Sequence, residues 1–205
     1  MQHDLNLTLS SLKRNHLYGL LVHNAEDMKK TGAEKLIDGL QLLKKNGDIL
    51  KIGVSVYDPM QLEYIIERFS IDLVQLPFNI FDRRMIDSGM FEILSKKKIE
   101  IHSRSVFLQG LLLTNSNSRP KKFDQWKQLW KLWSEWLKDN NLSALEASLR
   151  YAISVREISK ILVGVDSKSQ LKEIFDASSG HLPEIPHELY SDDINLLNPS
   201  NWDKL

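Results

Sequence analysis

The chain has 205 residues, with 27 Lys plus Arg, 27 Asp plus Glu and a formal net charge of zero, which removes any global electrostatic case for nucleic acid or an anionic membrane as partner. Hydrophobic residues make up 42% and charged residues 26%, the balance of a globular chain with a packed core. The absence of cysteine excludes disulfides, thiolate metal sites and a cysteine nucleophile.

Residues 1–16, MQHDLNLTLSSLKRNH, carry no signal-peptide core, and no stretch approaches ~18 uninterrupted apolar residues. A cytoplasmic address is the default expectation. The first apolar run, LYGLLVH (17–23), stops on His23. Leu36, Ile37, Leu40 and Leu43 then share a helical face, and Gly47 marks its end. A second run, ILKIGVSV (49–56), precedes Asp58-Pro59, an N-cap with Pro at the first helical position, and the face Leu62, Ile65, Ile66, Phe69. DLVQLPF (72–78) is followed by a face of Ile86, Met90 and Leu94, and IEIHSRSV (99–106) by the polar loop TNSNSRPKK (114–122). Trp126, Trp130, Trp133 and Trp136 form one helical stripe. Burial predicts a helix packed inward; exposure would mark an interface. Ser143 and Glu146 fit a capping box before Leu145, Leu149, Ala152 and Ile153. KILVGV (160–165) precedes Ser167 and Gln170, a second such pair, before Leu171, Ile174 and Phe175. Residues 181–205 hold three of the six prolines and read as an irregular tail packed on a domain of residues 1–180.

Strand and helix thus alternate five times, the order of an α/β protein built from βα units. Continuous apolar runs suit strands covered on both faces, as in parallel sheets. An open doubly wound sheet and a barrel both fit this order. Neither a G-x-G-x-x-G nor a phosphate-binding Gly-Lys-Ser/Thr loop is present. The glycines instead lie in or at the ends of strands (Gly19, Gly53, Gly110, Gly164), which favours a barrel, where working residues stand at the carboxyl ends of strands. Those ends carry His23, Ser55, Gln75, Arg104, Ser105, Gly164 and Asp166. Each has a structural reading on its own, as a cap or a solvated end; their shared location is the functional argument. Gln75, inside LVQLP, needs partners if buried. His23, Glu26 and Asp27 lack the geometry of a metal site, and no metal is expected.

Five passages together resemble the aldo-keto reductase family: SLKRNHLYGLLVHN, LKKNGDILKIGVSVYDP, DLVQLPFNIFDRR, SRSVFLQGLL and ILVGVDSKSQL. They resemble its barrel strands four to eight in order, over residues 11–177. FLQGLLL and the NPSNW tail are similar in wording to reductases of bacterial sugar and polysaccharide biosynthesis. The resemblance implies a partial TIM (β/α)8 barrel of about five βα units, NADP (or NAD) as cofactor and a small-molecule carbonyl substrate. It implies His23 as the catalytic residue at the carbonyl. Ser55 and Gln75 would hold the nicotinamide carboxamide. Arg104 would occupy the place of an aromatic under the nicotinamide. The loop Ser105–Gly110, including Phe107 and Gln109, would wrap the pyrophosphate. Gly164, Ser167, Lys168 and Gln170 would meet the adenosine end, with Glu173 retained near the adenine and Ile174 in place of an Asn. Val56 replaces an Asn after Gly-x-Ser, and Val106 a Pro.

The family's catalytic Asp, Tyr and Lys have no counterpart before Leu17. A TIM barrel typically needs about 250 residues, so the resemblance implies a truncated, impaired NAD(P)H-dependent oxidoreductase. Two alternatives stand beside it: a non-catalytic remnant that still binds cofactor, and a subunit completing a split barrel as a homo-oligomer or with a complementing chain.

Overall fold

The structure, a computed structural model, describes residues 1–205. Its elements run α1 (Gln2–Leu12), β1 (Leu17–Val22), α2 (Ala33–Lys45), β2 (Ile49–Ser55), α3 (Pro59–Arg68), β3 (Leu73–Pro77), α4 (Arg84–Asp87), α5 (Met90–Lys96), β4 (Glu100–Arg104), α6 (Lys127–Asp139), α7 (Ala144–Ser154), β5 (Ile158–Ile161), α8 (Lys168–Ala177) and α9 (Ile194–Leu197). The strands form a five-stranded sheet in the order β1-β2-β3-β4-β5. A doubly wound sheet reverses its order at a switch point; this one does not. No helix is long and apolar enough to cross a membrane.

The punctuation in the sequence sets the helix ends. Asp58 caps α3 by accepting from the Gln61 N–H at 2.8 Å. Ser143 and Glu146 form the reciprocal capping box of α7. Three expectations shift. Gly89, at φ +76°, divides the helix expected through Ile86, Met90 and Leu94 into α4 and α5. β5 lies at Ile158–Ile161 rather than 160–165: an edge strand covered on one side tolerates Ser159 and Lys160, so the apolar run misplaced it. For the same reason the expected apolar face of α8 is not covered, and Leu171 and Phe175 are exposed. Helix α1 was not expected at all; it buries Leu5.

The chain divides into two compact units, Met1–Leu76 with Met90–His102, and Pro77–Gly89 with Ser103–Leu205. In the first, β1, β2 and β3 are parallel, with Leu21 beside Gly53 and Gly53 beside Leu73. A Cβ on Gly19 or Gly53 would come within 2.8 or 2.7 Å of the Leu73 side chain, so both glycines are needed for Leu73 to seat. The helix-facing side buries Ile52, Val54, Leu62 and Ile65 completely. The opposite side is curled. Tyr18 of β1 donates to the Glu100 carboxylate of β4 at 2.6 Å, although β1 and β4 are three strand spacings, about 14 Å, apart in a flat sheet. Side chains stand roughly perpendicular to a sheet, so this bond requires a concave face.

The second unit is built on the tryptophan stripe. Trp130, Trp133 and Trp136 are buried, so the stripe faces inward and the interface reading falls. Trp133 stacks on Trp136 at 5.8 Å, meets Phe81 edge-on at 5.8 Å and donates to the Leu112 carbonyl. The tail is fastened by Arg83, which donates to the carbonyls of Pro186 and Leu189, and by Trp126, which donates to Asp193. Tyr151 stacks on Phe78 at 5.0 Å. Burial pushes its phenol up to about 12, with Asp87 and Asp82 adding to the shift and Arg83 opposing it.

Two measurements follow from this packing. Trp133→Ala should cost about 3–5 kcal/mol, read as a lower urea midpoint. A phenol raised in the folded state favours folding below its ordinary value near 10, and that contribution is lost as pH rises from 10 towards 12. Phenolate absorbance should therefore show a late-ionising tyrosine that Tyr151→Phe removes.

Candidate active site

Register assembles the first half of the site. Val22 pairs with Val54, so His23 follows beside Ser55, and Ser55 pairs with Gln75. The Glu100 N–H donates to the Asp72 carbonyl; in a parallel ladder that bond places Leu73 beside Glu100 and Gln75 beside His102. His23, Ser55, Gln75 and His102 thus form one row across four strands, just past β1, at the end of β2 and midway along β3 and β4. Ser55 and His102 are buried, Gln75 is half-buried and His23 exposed. The Ser55 hydroxyl and the Gln75 amide make no side-chain hydrogen bond within the chain, so both remain available to a ligand.

His102 is the member that sequence reasoning missed. Its signal was the period-two alternation Glu100, His102, Arg104 in IEIHSR, which puts all three on one face. His102 Nε2 lies 2.6 Å from Glu100 Oε1, and their side chains are 10% and 11% exposed. The other Glu100 oxygen accepts from Tyr18 and pairs with Lys51. Lys51 also sits over the Tyr18 ring. Its pKa is raised, chiefly by the hydrogen bond to Glu100 and further by Tyr18, against the opposing effect of burial. The ammonium is therefore held charged on the concave face.

The remaining predicted residues lie in the second unit. Arg104 ends β4 and donates to the Ser105 hydroxyl at 3.3 Å. The loop after it is unusual: Ser105, Leu108 and Gln109 have φ of 59°, 46° and 53°, and Gly110 follows at 81°. Non-glycine residues held there cost about 1–3 kcal/mol each, a cost that clusters at ligand clamps. Phe107 lies within this loop, its carbonyl accepting from the Leu112 N–H. Gly164 is exposed in the segment leading to α8. Ser167 caps α8 through the Gln170 N–H, and the Gln170 side chain accepts in return from the Asp166 N–H at 2.7 Å. Lys168 opens that helix, exposed, so a helix N-terminus and a cation share one end, as anion binding requires. A cavity of about 540 Å³ in the same unit is lined by Leu112, Thr114, Trp133, Ser143, Leu145 and Glu173, among others.

The strained loop gives a direct test. Gln109 is exposed, so Gln109→Gly should relieve left-handed strain at no packing cost and stabilise by up to about 1 kcal/mol. For a chain of this size, that is a rise in Tm of about 2–4 °C.

The comparisons with known proteins concern the fold and the family. An oxidoreductase of Bacillus subtilis (strain 168), YqkF, described as uncharacterized, is 24% identical over 185 residues, covering 84% of this chain and 58% of its own length. Among solved structures, aldo-keto reductase AKR11C1 from Bacillus halodurans in its apo form superposes with a TM-score of 0.71 at 19% identity, over 92% of this chain and 65% of that one. The thermostable aldo-keto reductase Tm1743, in complex with the inhibitor epalrestat, gives 0.67 at 21% identity, over 92% and 63%. The chain thus spans somewhat under two thirds of the proteins it matches. The profile of the aldo/keto reductase family covers residues 1–188, and with strand-end residues in register on a sequentially ordered parallel sheet, the chain belongs to that family of oxidoreductases.

Proposed function

We propose that the chain binds a reduced nicotinamide dinucleotide, NADPH or NADH, and uses it on a small carbonyl substrate. The observation that carries this reading is the registered row of His23, Ser55 and Gln75. A carboxamide needs an acceptor for its N–H groups and a donor for its oxygen. The unengaged Ser55 hydroxyl and Gln75 amide offer both, so the residues fit the group. When bound, the cofactor supplies the hydride. His23, exposed at the mouth of the concave face, orients the carbonyl by hydrogen bonding. Within the second unit, the backbone of the loop Ser105–Gly110 and the capped start of α8 with Lys168 would offer N–H groups and a cation to a phosphate-bearing ligand.

In this reading the five strands correspond to strands four to eight of the family's barrel, and the coverage of the solved relatives, 62–65% of their chains, supports it. The wording of FLQGLLL and NPSNW favours a sugar-derived carbonyl.

Titration with NADPH, followed by cofactor fluorescence, tests the binding half. Each hydrogen bond is worth about 0.5–1.5 kcal/mol, so the double variant Ser55→Ala with Gln75→Ala should weaken binding by one to two orders of magnitude. NADPH consumption with aldehydes and keto-sugars tests the chemistry. Wild-type and double-variant affinities that coincide, with no consumption by either, would overturn the reading.

A further inference from the structure

We propose that two copies of this chain pair antiparallel along the open edge of β1, about a two-fold axis beside Leu20. β1 is the end strand of the sheet and is hydrogen-bonded to β2 alone. The Val56 N–H donates to the Gln75 carbonyl, so even-numbered residues along β2 address β3, while Lys51 and Gly53 address β1. In a parallel ladder, the registered partner of a residue that faces its neighbour faces away. Gly19 and Leu21, registered with Lys51 and Gly53, therefore direct their N–H and C=O groups to the open side. No group of the chain meets them there, and both residues are only part-buried.

Edge strands are commonly guarded by charge or proline. The other end strand, β5, follows that rule with exposed Ser159 and Lys160. β1 does not: its sequence, LYGLLV, has neither charge nor proline.

The two ends of β1 select the partner and the direction. Lys13, Arg14 and His16 precede the strand and help line a hollow of about 460 Å³. Lys13 and Arg14 have no acidic partner within the chain. Glu26 and Asp27 follow the strand, with side chains 52% and 44% exposed. They pair with Lys29 and Lys30, but exposed pairs are worth only about 0–1 kcal/mol, and a carboxylate accepts several donors. Place Leu20 opposite Leu20 of the second copy and count outward. Gly19 then exchanges both backbone bonds with Leu21 of the second copy. Arg14 comes level with Glu26 of the second copy, and Lys13 with Asp27. The two-fold axis repeats these contacts at the other end, so basic meets acidic at both. A parallel arrangement would set like charges against each other.

Analytical ultracentrifugation of the full chain, over a concentration series at low and high salt, tests the pairing. A dimer that weakens as salt rises is expected, because exposed charges are screened. Lys13→Glu with Arg14→Glu should weaken dimerisation by about tenfold to a hundredfold, and Glu26→Lys with Asp27→Lys should do the same. An equimolar mixture of the two variants should recover the dimer, since each acidic end again meets a basic one. The chain has no cysteine, so Leu20→Cys reads the register directly. Across a non-hydrogen-bonded antiparallel pair the Cα atoms lie about 4.5 Å apart, within disulfide reach. Mild oxidation should link Leu20→Cys to itself and leave Leu50→Cys, exposed on β2, as single chains. A wild type that is monomeric at every concentration overturns the proposal and leaves the edge to a different polypeptide. A dimer that survives both charge reversals, or one in which Leu20→Cys stays unlinked, overturns it too.

Discussion

Glu100 is the point on which the first unit turns. A carboxylate that is about one-tenth exposed is costly to bury unless its oxygens are satisfied. Here one oxygen meets His102 and the other meets Tyr18 and Lys51. Those partners come from β1, β2 and β4, so satisfying the charge also bends the sheet. Removing Lys51 leaves the carboxylate without its cation on a half-dry face, and removing Tyr18 leaves one of its oxygens short of a donor. The concavity, the row above it and the orientation of His102 all follow from this one carboxylate.

The second unit meets a different constraint with different means. It holds a buried ion pair, Asp82 with Arg84, but most of its centre is large rings. Phe81, Phe123, Trp130, Trp133, Trp136 and Trp202 pack together, and each indole N–H finds an oxygen. Aromatic rings bury much area with few rotatable bonds, which makes a stiff wall behind the strained loop that begins at Ser105. Left-handed non-glycine residues persist only where their surroundings over-determine them. The aromatic wall and the tail fastened by Arg83 provide such surroundings.

Much of this was legible in the sequence because it is local. Apolar runs ending on polar residues located four of the five strands to within a residue or two, and Asp58, Ser143 and Ser167 named their helix starts. His23, Ser55 and Gln75 stood out because each interrupts or ends such a run. The rest was hidden for reasons that are also physical. The partnership of Gln75 with His102 depends on which backbone groups pair, and the β3–β4 register is fixed by bonds such as Glu100 N–H to Asp72 O that leave no mark in composition. Gln109 in a left-handed conformation is invisible because glycine, the usual sign of that geometry, is absent there. Edge position displaced β5 and bared Phe175, and edges are decided by the whole sheet.

The span of the Tyr18–Glu100 bond also bears on how the chain is made. Its two ends are 82 residues apart, while successive strands of the sheet are neighbours in sequence as well as in space. Adjacent βα units can therefore form one after another as the chain lengthens, at small loop-closure cost. The concave face cannot: its charge balance is completed only when β4 arrives and Glu100 meets groups placed long before. Pairing of strands and shaping of the cleft are thus separate events in the life of the chain, and a ribosome that pauses before residue 100 holds a sheet whose cleft is still unmade.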